Sequence, residues 1–110
     1  MAPVTQDDEI VERILREVAR QYPAQKNRTV FSFDRENGQF VLLREGWDGY
    51  KRNHFAWIHV EARDGKLWIH RDGTEQGIAN DLLTAGIPKE RIVLAFQHPA
   101  RRERGDFAAA

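Results

Sequence analysis

Cysteine is absent from this chain of 110 residues. That single absence excludes disulfides, thiolate catalysis and cysteine-bound zinc. Serine occurs once, at Ser32, inside an alternating stretch with no elbow glycines around it, so a Ser-His-Asp arrangement is not signalled. There is no GxGxxG and no Walker loop. No stretch approaches ~20 apolar residues, so no membrane span is read. Net charge is also missing: 17 Lys and Arg balance 17 Asp and Glu. A neutral chain has no global field to draw in a polyanion, which disfavours non-specific nucleic-acid binding and leaves only a local strip, Arg101, Arg102 and Arg104. Met1 to Ile10 holds Asp7, Asp8 and Glu9 and lacks a signal-peptide core. With no cysteine, this fits a cytoplasmic chain. What is present, 41% apolar and 31% charged residues, suits one globular domain over residues 1–110.

The first segment reads as an amphipathic helix. Thr5 and Asp8 resemble a capping box, and Asp7, Asp8 and Glu9 suit the positive end of the helix dipole. Ile10, Val11, Ile14, Leu15, Val18, Ala19 and Tyr22 recur at helical spacing, and Pro23 ends the run. Two hairpins follow. In the first, residues 27–34 and 39–45 alternate around Asn37-Gly38, a pair suited to a type I′ turn. A two-residue turn there would set Phe33 opposite Leu42. Gly46-Trp47-Asp48-Gly49 reads as a turn or bulge. In the second hairpin, residues 52–62 return through Asp64-Gly65 to 67–71. That register puts Ile58, Val60, Ala62, Leu67 and Ile69 on one face and Trp57, His59, Glu61, Trp68 and His70 on the other. His59 would face His70, and Glu61 would face Trp68.

Asp72 reads as the N-cap of a second helix with Glu75 three residues on, and Thr74 competes for the cap. Ile78, Ala79, Leu82 and Leu83 give its stripe; Gly86, Ile87 and Pro88 supply a left-handed stop. Residues 92–96 read as a last buried strand, broken at His98-Pro99. The expected class is α+β, with an antiparallel sheet of about five strands (two hairpins plus a C-terminal strand) and two helices. Helices on one side leave the other sheet face partly open.

Chemistry is thinly signalled. Two imidazoles at ~5 Å could share a metal, with Glu61 or Asp72 as a third ligand. Asp72, Thr74 and Glu75 could be an acidic cluster for acid–base work or Mg²⁺. The preferred readings are a polar-aromatic sheet face and a capped helix, with no catalytic, metal-binding or cofactor-binding residues assigned. Trp47 either plugs the core or anchors a partner, since interface hot spots favour Trp and Arg.

The middle and end of the chain resemble a known family. The matching residues are Gly46-Trp47-Asp48-Gly49, Arg52, His59, the run from Asp64 to Ile69, Asp72-Gly73-Thr74-Glu75, and Gly77-Ile78-Ala79. They continue as Leu82, Gly86-Ile87-Pro88-Lys89, Ile92-Val93-Leu94, Phe96, Pro99, Arg102 and Phe107 to Ala110. In order and spacing these resemble the XisI family, the fdxN element excision controlling factors. Ala95, Gln97 and His70 depart from its pattern, where Gly, His and Gln are common, and a Thr expected near Gly105 is missing. The resemblance implies a non-enzymatic accessory protein acting with a XisH-like partner in the control of DNA element excision by a site-specific recombinase. It supplies no catalytic residues. The candidate partner-binding residues are Trp47, Arg52, His59 and Trp68. DNA would be met through the recombination complex, and a homo-oligomer stays open. The alternatives are direct DNA binding and a small metal-dependent nuclease or hydrolase.

Overall fold

A computed structural model describes residues 6–110 of the chain. Helix α1 spans Gln6–Gln21. Strands β1 Asn27–Asp34, β2 Gln39–Asp48, β3 Lys51–Arg63 and β4 Lys66–Asp72 follow, then helix α2 Ile78–Thr84. A single 3-10 turn, Lys89–Arg91, leads into β5 Ile92–Leu94 and a short helix α3, Pro99–Arg102. The five strands lie in the order β1-β2-β3-β4-β5. The first four pair antiparallel, and β5 joins β4 in parallel. The capping role expected of Thr5 falls outside the described residues. No helix among the described residues is long and apolar enough to cross a membrane.

One face of the sheet makes the core. Phe40, Leu42, Ile58, Val60, Leu67 and Ile69 are buried against Val11, Leu15 and Val18 of α1 and Ile78 and Leu82 of α2. Each such side chain contributes roughly 1.5–3 kcal/mol of burial. Helix α2 stops as its sequence predicts. Gly86 takes φ +100°, and the Gly86 and Ile87 amides return to Leu83 O and Leu82 O, both at 3.0 Å. These are the two bonds of a Schellman stop.

Four local expectations are corrected. The β1–β2 turn spans four residues, because the Gly38 amide bonds Arg35 O while Asp34 accepts from Asn37. Gly38 alone turns left-handed there, and its carbonyl accepts from Ala62 N at 2.7 Å. Phe33 therefore faces Phe40, and Phe31 faces Leu42. Strand β2 continues through Trp47 to Asp48 instead of turning at Gly46. A Cβ on Gly46 would sit 2.7 Å from Lys26 O, so only glycine lets the strand pass that close. The turn is at Gly49 and Tyr50. Helix α2 starts at Ile78, well after Asp72. Strand β5 ends at Leu94, where Ala95 N bonds Val93 O and curls the chain.

Two bulges matter more. Leu42 pairs with Ile58 but Leu43 pairs with Ala56, so Trp57 is an extra residue in β3. Val60 pairs with Ile69 but His59 pairs with Arg71, so His70 is an extra residue in β4. Each bulge reverses which face the residues beyond it occupy.

Candidate functional site

The sheet face turned away from α1 and α2 is built in three bands. At one end Glu45 is held by Arg28 and, at 2.7 Å, by Arg52. These guanidiniums keep its carboxyl below the usual carboxylate range. The middle band is apolar: Val30 pairs with Leu43, and Leu43 with Ala56, with Val41 beside them. None of these four is fully buried by the chain's own atoms. The far band is a closed polar ring. Gln39 Nε2 donates to Glu61 (3.0 Å), His70 Nε2 meets Glu61 at 2.8 Å, and Gln39 Oε1 accepts from His59 Nε2 at 2.7 Å. The His59 and His70 rings close the circuit at 4.8 Å between centroids. A carboxylate only accepts, so Gln39 must present its oxygen to His59, and each imidazole donates through its Nε2. Burial and the neighbouring His70 push the His59 pKa down against the pull of Glu61. The hydrogen bond to His70 leads in holding Glu61 below its ordinary value.

Trp47, Arg52, His59 and Trp68 share this face. Trp47 is 57% exposed and stands across from Arg52, whose guanidinium lies 5.4 Å from the indole centroid. Trp47 therefore does not plug the core. Trp68 is only half-exposed. Its Nε1 donates to Arg63 O, and the Arg63 guanidinium covers its ring at 3.8 Å. Arg52 reaches this face because of the bulge at Trp57; unbroken alternation would put it on the core side.

Trp57 is the correction on this surface. Its expected place was beside His59; it is 5% exposed on the core side instead, edge-on to Tyr22 at 6.1 Å. The Arg44 guanidinium stacks on it at 3.5 Å and also donates to Tyr22 O at the end of α1. Burial there lowers the Arg44 pKa. The other bulge acts on the histidines. His59 is opposite Arg71 rather than His70, although the two rings still touch. The same shift sets Asp72 against Ile58, on the core face. There its Oδ1 accepts from Thr74 N and Oγ1, and its Oδ2 from Ile78 N at 2.7 Å. Asp72 thus joins neither the imidazoles nor Glu75, which is exposed. Among the described residues, no three His, Asp or Glu side chains are grouped to hold a metal ion.

The basic strip is divided. Arg102 turns back to 5.9 Å from the Trp68 ring, while Arg101 and Arg104 line a hollow of about 580 Å³ with His98. Sequence reasoning missed Gln39, Arg28, Glu45 and Arg63. Arg28, Glu45 and Gln39 become visible only once the register fixes who sits beside whom.

These features define a small α+β domain that covers one side of its sheet and leaves the other as a banded, partly apolar surface. The chain belongs to the XisI family: the family model for XisI protein matches residues 1–109. It is similar to a XisI-like protein from Anabaena variabilis ATCC 29413, with 30% identity and a TM-score of 0.85 over 93% of this chain and 94% of that one. It is also similar to the fdxN element excision controlling factor XisI of the same organism, with 32% identity and a TM-score of 0.77 over 92% of each chain. No curated protein is significantly similar to the chain.

Proposed function

We propose that this XisI-family chain is a non-enzymatic accessory protein that binds a XisH-like protein through its uncovered sheet face, in the control of DNA element excision. The observation that carries the reading is Trp47, an indole 57% exposed beside Arg52 at the edge of an apolar band. An apolar centre within a polar rim is the usual anatomy of a protein interface, and Trp with Arg is its usual hot spot. The polar ring of Gln39, His59, Glu61 and His70 supports the same reading. Its groups satisfy one another and hold a fixed pattern of donors and acceptors.

Co-purification with a XisH-like partner, repeated with Trp47→Ala and Trp68→Ala, tests it. Trp47→Ala is expected to weaken binding by about 2 kcal/mol, the hot-spot scale, and to leave stability within ~0.5 kcal/mol. Unchanged binding in both variants removes this face from consideration. A second reading, direct DNA contact, is favoured only by Arg101 and Arg104 in their shared hollow. Phosphate contacts would show as binding that falls steeply with salt.

A further inference from the structure

Strand β1 is an open edge. It pairs with β2 on one side, and no strand among the described residues pairs with the other. The opposite edge of the sheet is short and closed, because β5 has three residues and Val93 bridges Ala108 of the C-terminal segment. Proteins normally blunt a long edge with proline, a bulge or a covering loop. Among the described residues, strand β1 is left with charges alone, Arg28 and Asp34 near its two ends. It contains no proline, and its register with β2 runs unbroken over eight pairs. Its middle is Val30, Phe31 and Ser32, and Phe31 is 39% exposed.

The edge is also self-complementary. Two copies of β1 running antiparallel about a two-fold axis through Phe31 set Arg28 opposite Asp34, Thr29 opposite Phe33 and Val30 opposite Ser32. Every pair then joins side chains from the same face, as a continuous sheet requires. The opposite charges meet twice, once on each side of the axis. A one-residue slip would set core-face side chains against open-face ones. A two-residue slip in either direction separates Arg28 from Asp34, and the slip that moves the axis to Ser32 also shortens the ladder to five pairs. Beside the axis, Arg16, Ala19, Arg20, Thr29 and Phe31 line a hollow of about 350 Å³, where the Arg16 guanidinium lies 5.0 Å from the Phe31 ring centroid.

We propose that the chain forms a two-fold homodimer in which β1 pairs with β1 of a second copy. The result is one continuous sheet with five strands from each copy. The axis runs through the sheet, so the two uncovered faces point the same way and stay free. The proposal therefore goes beyond the partner-binding reading and does not depend on it.

The chain's lack of cysteine makes a direct test available. Directly opposed Cα atoms in an antiparallel pair lie ~4.5–5.5 Å apart, within the ~4.4–6.8 Å that a disulfide accepts. On mild oxidation Phe31→Cys is expected to link rapidly and completely into dimers. Tyr50→Cys, fully exposed at the β2–β3 turn, links only at the rate of chance collision. Sedimentation of the wild type is expected to show a dimer that dissociates on dilution. Arg28→Asp and Asp34→Arg should each weaken it by about tenfold or more, because each sets like charges opposite twice, and the double exchange should restore it. Circular dichroism checks folding of each, since Arg28 also holds Glu45 in its own chain. A monomeric wild type, equal linking of Phe31→Cys and Tyr50→Cys, or a dimer indifferent to both charge reversals overturns the proposal.

Discussion

Replacing Asp72 by alanine separates a structural role for this carboxylate from a catalytic one. Its oxygens accept from Thr74 N at 3.0 Å, Thr74 Oγ1 at 2.6 Å and Ile78 N at 2.7 Å. Thr74 Oγ1 accepts in turn from Gly77 N at 3.2 Å, so the whole entry to α2 hangs on this group. Helix α2 has seven residues and a glycine N-cap with no side chain of its own to offer. Losing a cap costs ~1 kcal/mol. Losing the turn bonds at Thr74 adds about 1 kcal/mol more. The expected total is ~2 kcal/mol, which in a domain of this size lowers Tm by roughly 10 °C. Urea and thermal denaturation followed by circular dichroism read it out. Asp72→Asn keeps one acceptor oxygen and should lose about half as much. The reasoning is refuted if Asp72→Ala matches the wild type within ~0.5 kcal/mol. Unchanged stability together with a lost biochemical activity would return the acidic-cluster chemistry to this segment.

Gly73→Ala should also destabilise, by ~1–3 kcal/mol, because a Cβ there would lie 2.8 Å from Trp57 Nε1 and the indole is pinned by its bond to Gly73 O; an unshifted denaturant midpoint would show that the bulge has slack. Stability should fall on acidification below about pH 6.5, the unfolded histidine value, because the lowered His59 pKa means the unfolded chain takes up that proton first. Glu61, also lowered, adds a second loss as pH falls through its folded pKa. His59→Gln should flatten the first part of this pH profile and leave the second, and an identical profile in the variant refutes the assignment.

The elements were legible because each carries its own local signal. The 3.6-residue stripe of α1, the Asp64-Gly65 turn with both residues at positive φ, and the Gly86 stop of α2 need no knowledge of their neighbours. The bulges carry no such signal. Nothing in the run Phe55 to His59 says that Trp57 is the unpaired residue. What places it is tertiary: Tyr22 at the end of α1, Arg44 across the ladder and the Gly73 carbonyl together make a slot for an indole on the core side. Alternation read without that slot mis-assigns Trp57 and Arg52 together, since both lie at or beyond the bulge. The second bulge, at His70, likewise flips Asp72. Period-two reasoning therefore gathers Asp72 with two histidines and builds a metal or acid–base site on paper. One extra residue in β4 turns Asp72 to the other face, where it caps a helix.

The same two insertions decide what the uncovered face can be. The bulge in β3 removes an indole from it and supplies Arg52 opposite Trp47; the bulge in β4 removes a carboxylate and leaves the imidazoles stacked and hydrogen-bonded through Nε2. This surface matches Glu45 with Arg28 and Arg52, and Glu61 with Gln39 and His70. It keeps a defined shape, an apolar band and an exposed indole, which are the properties that recognition needs.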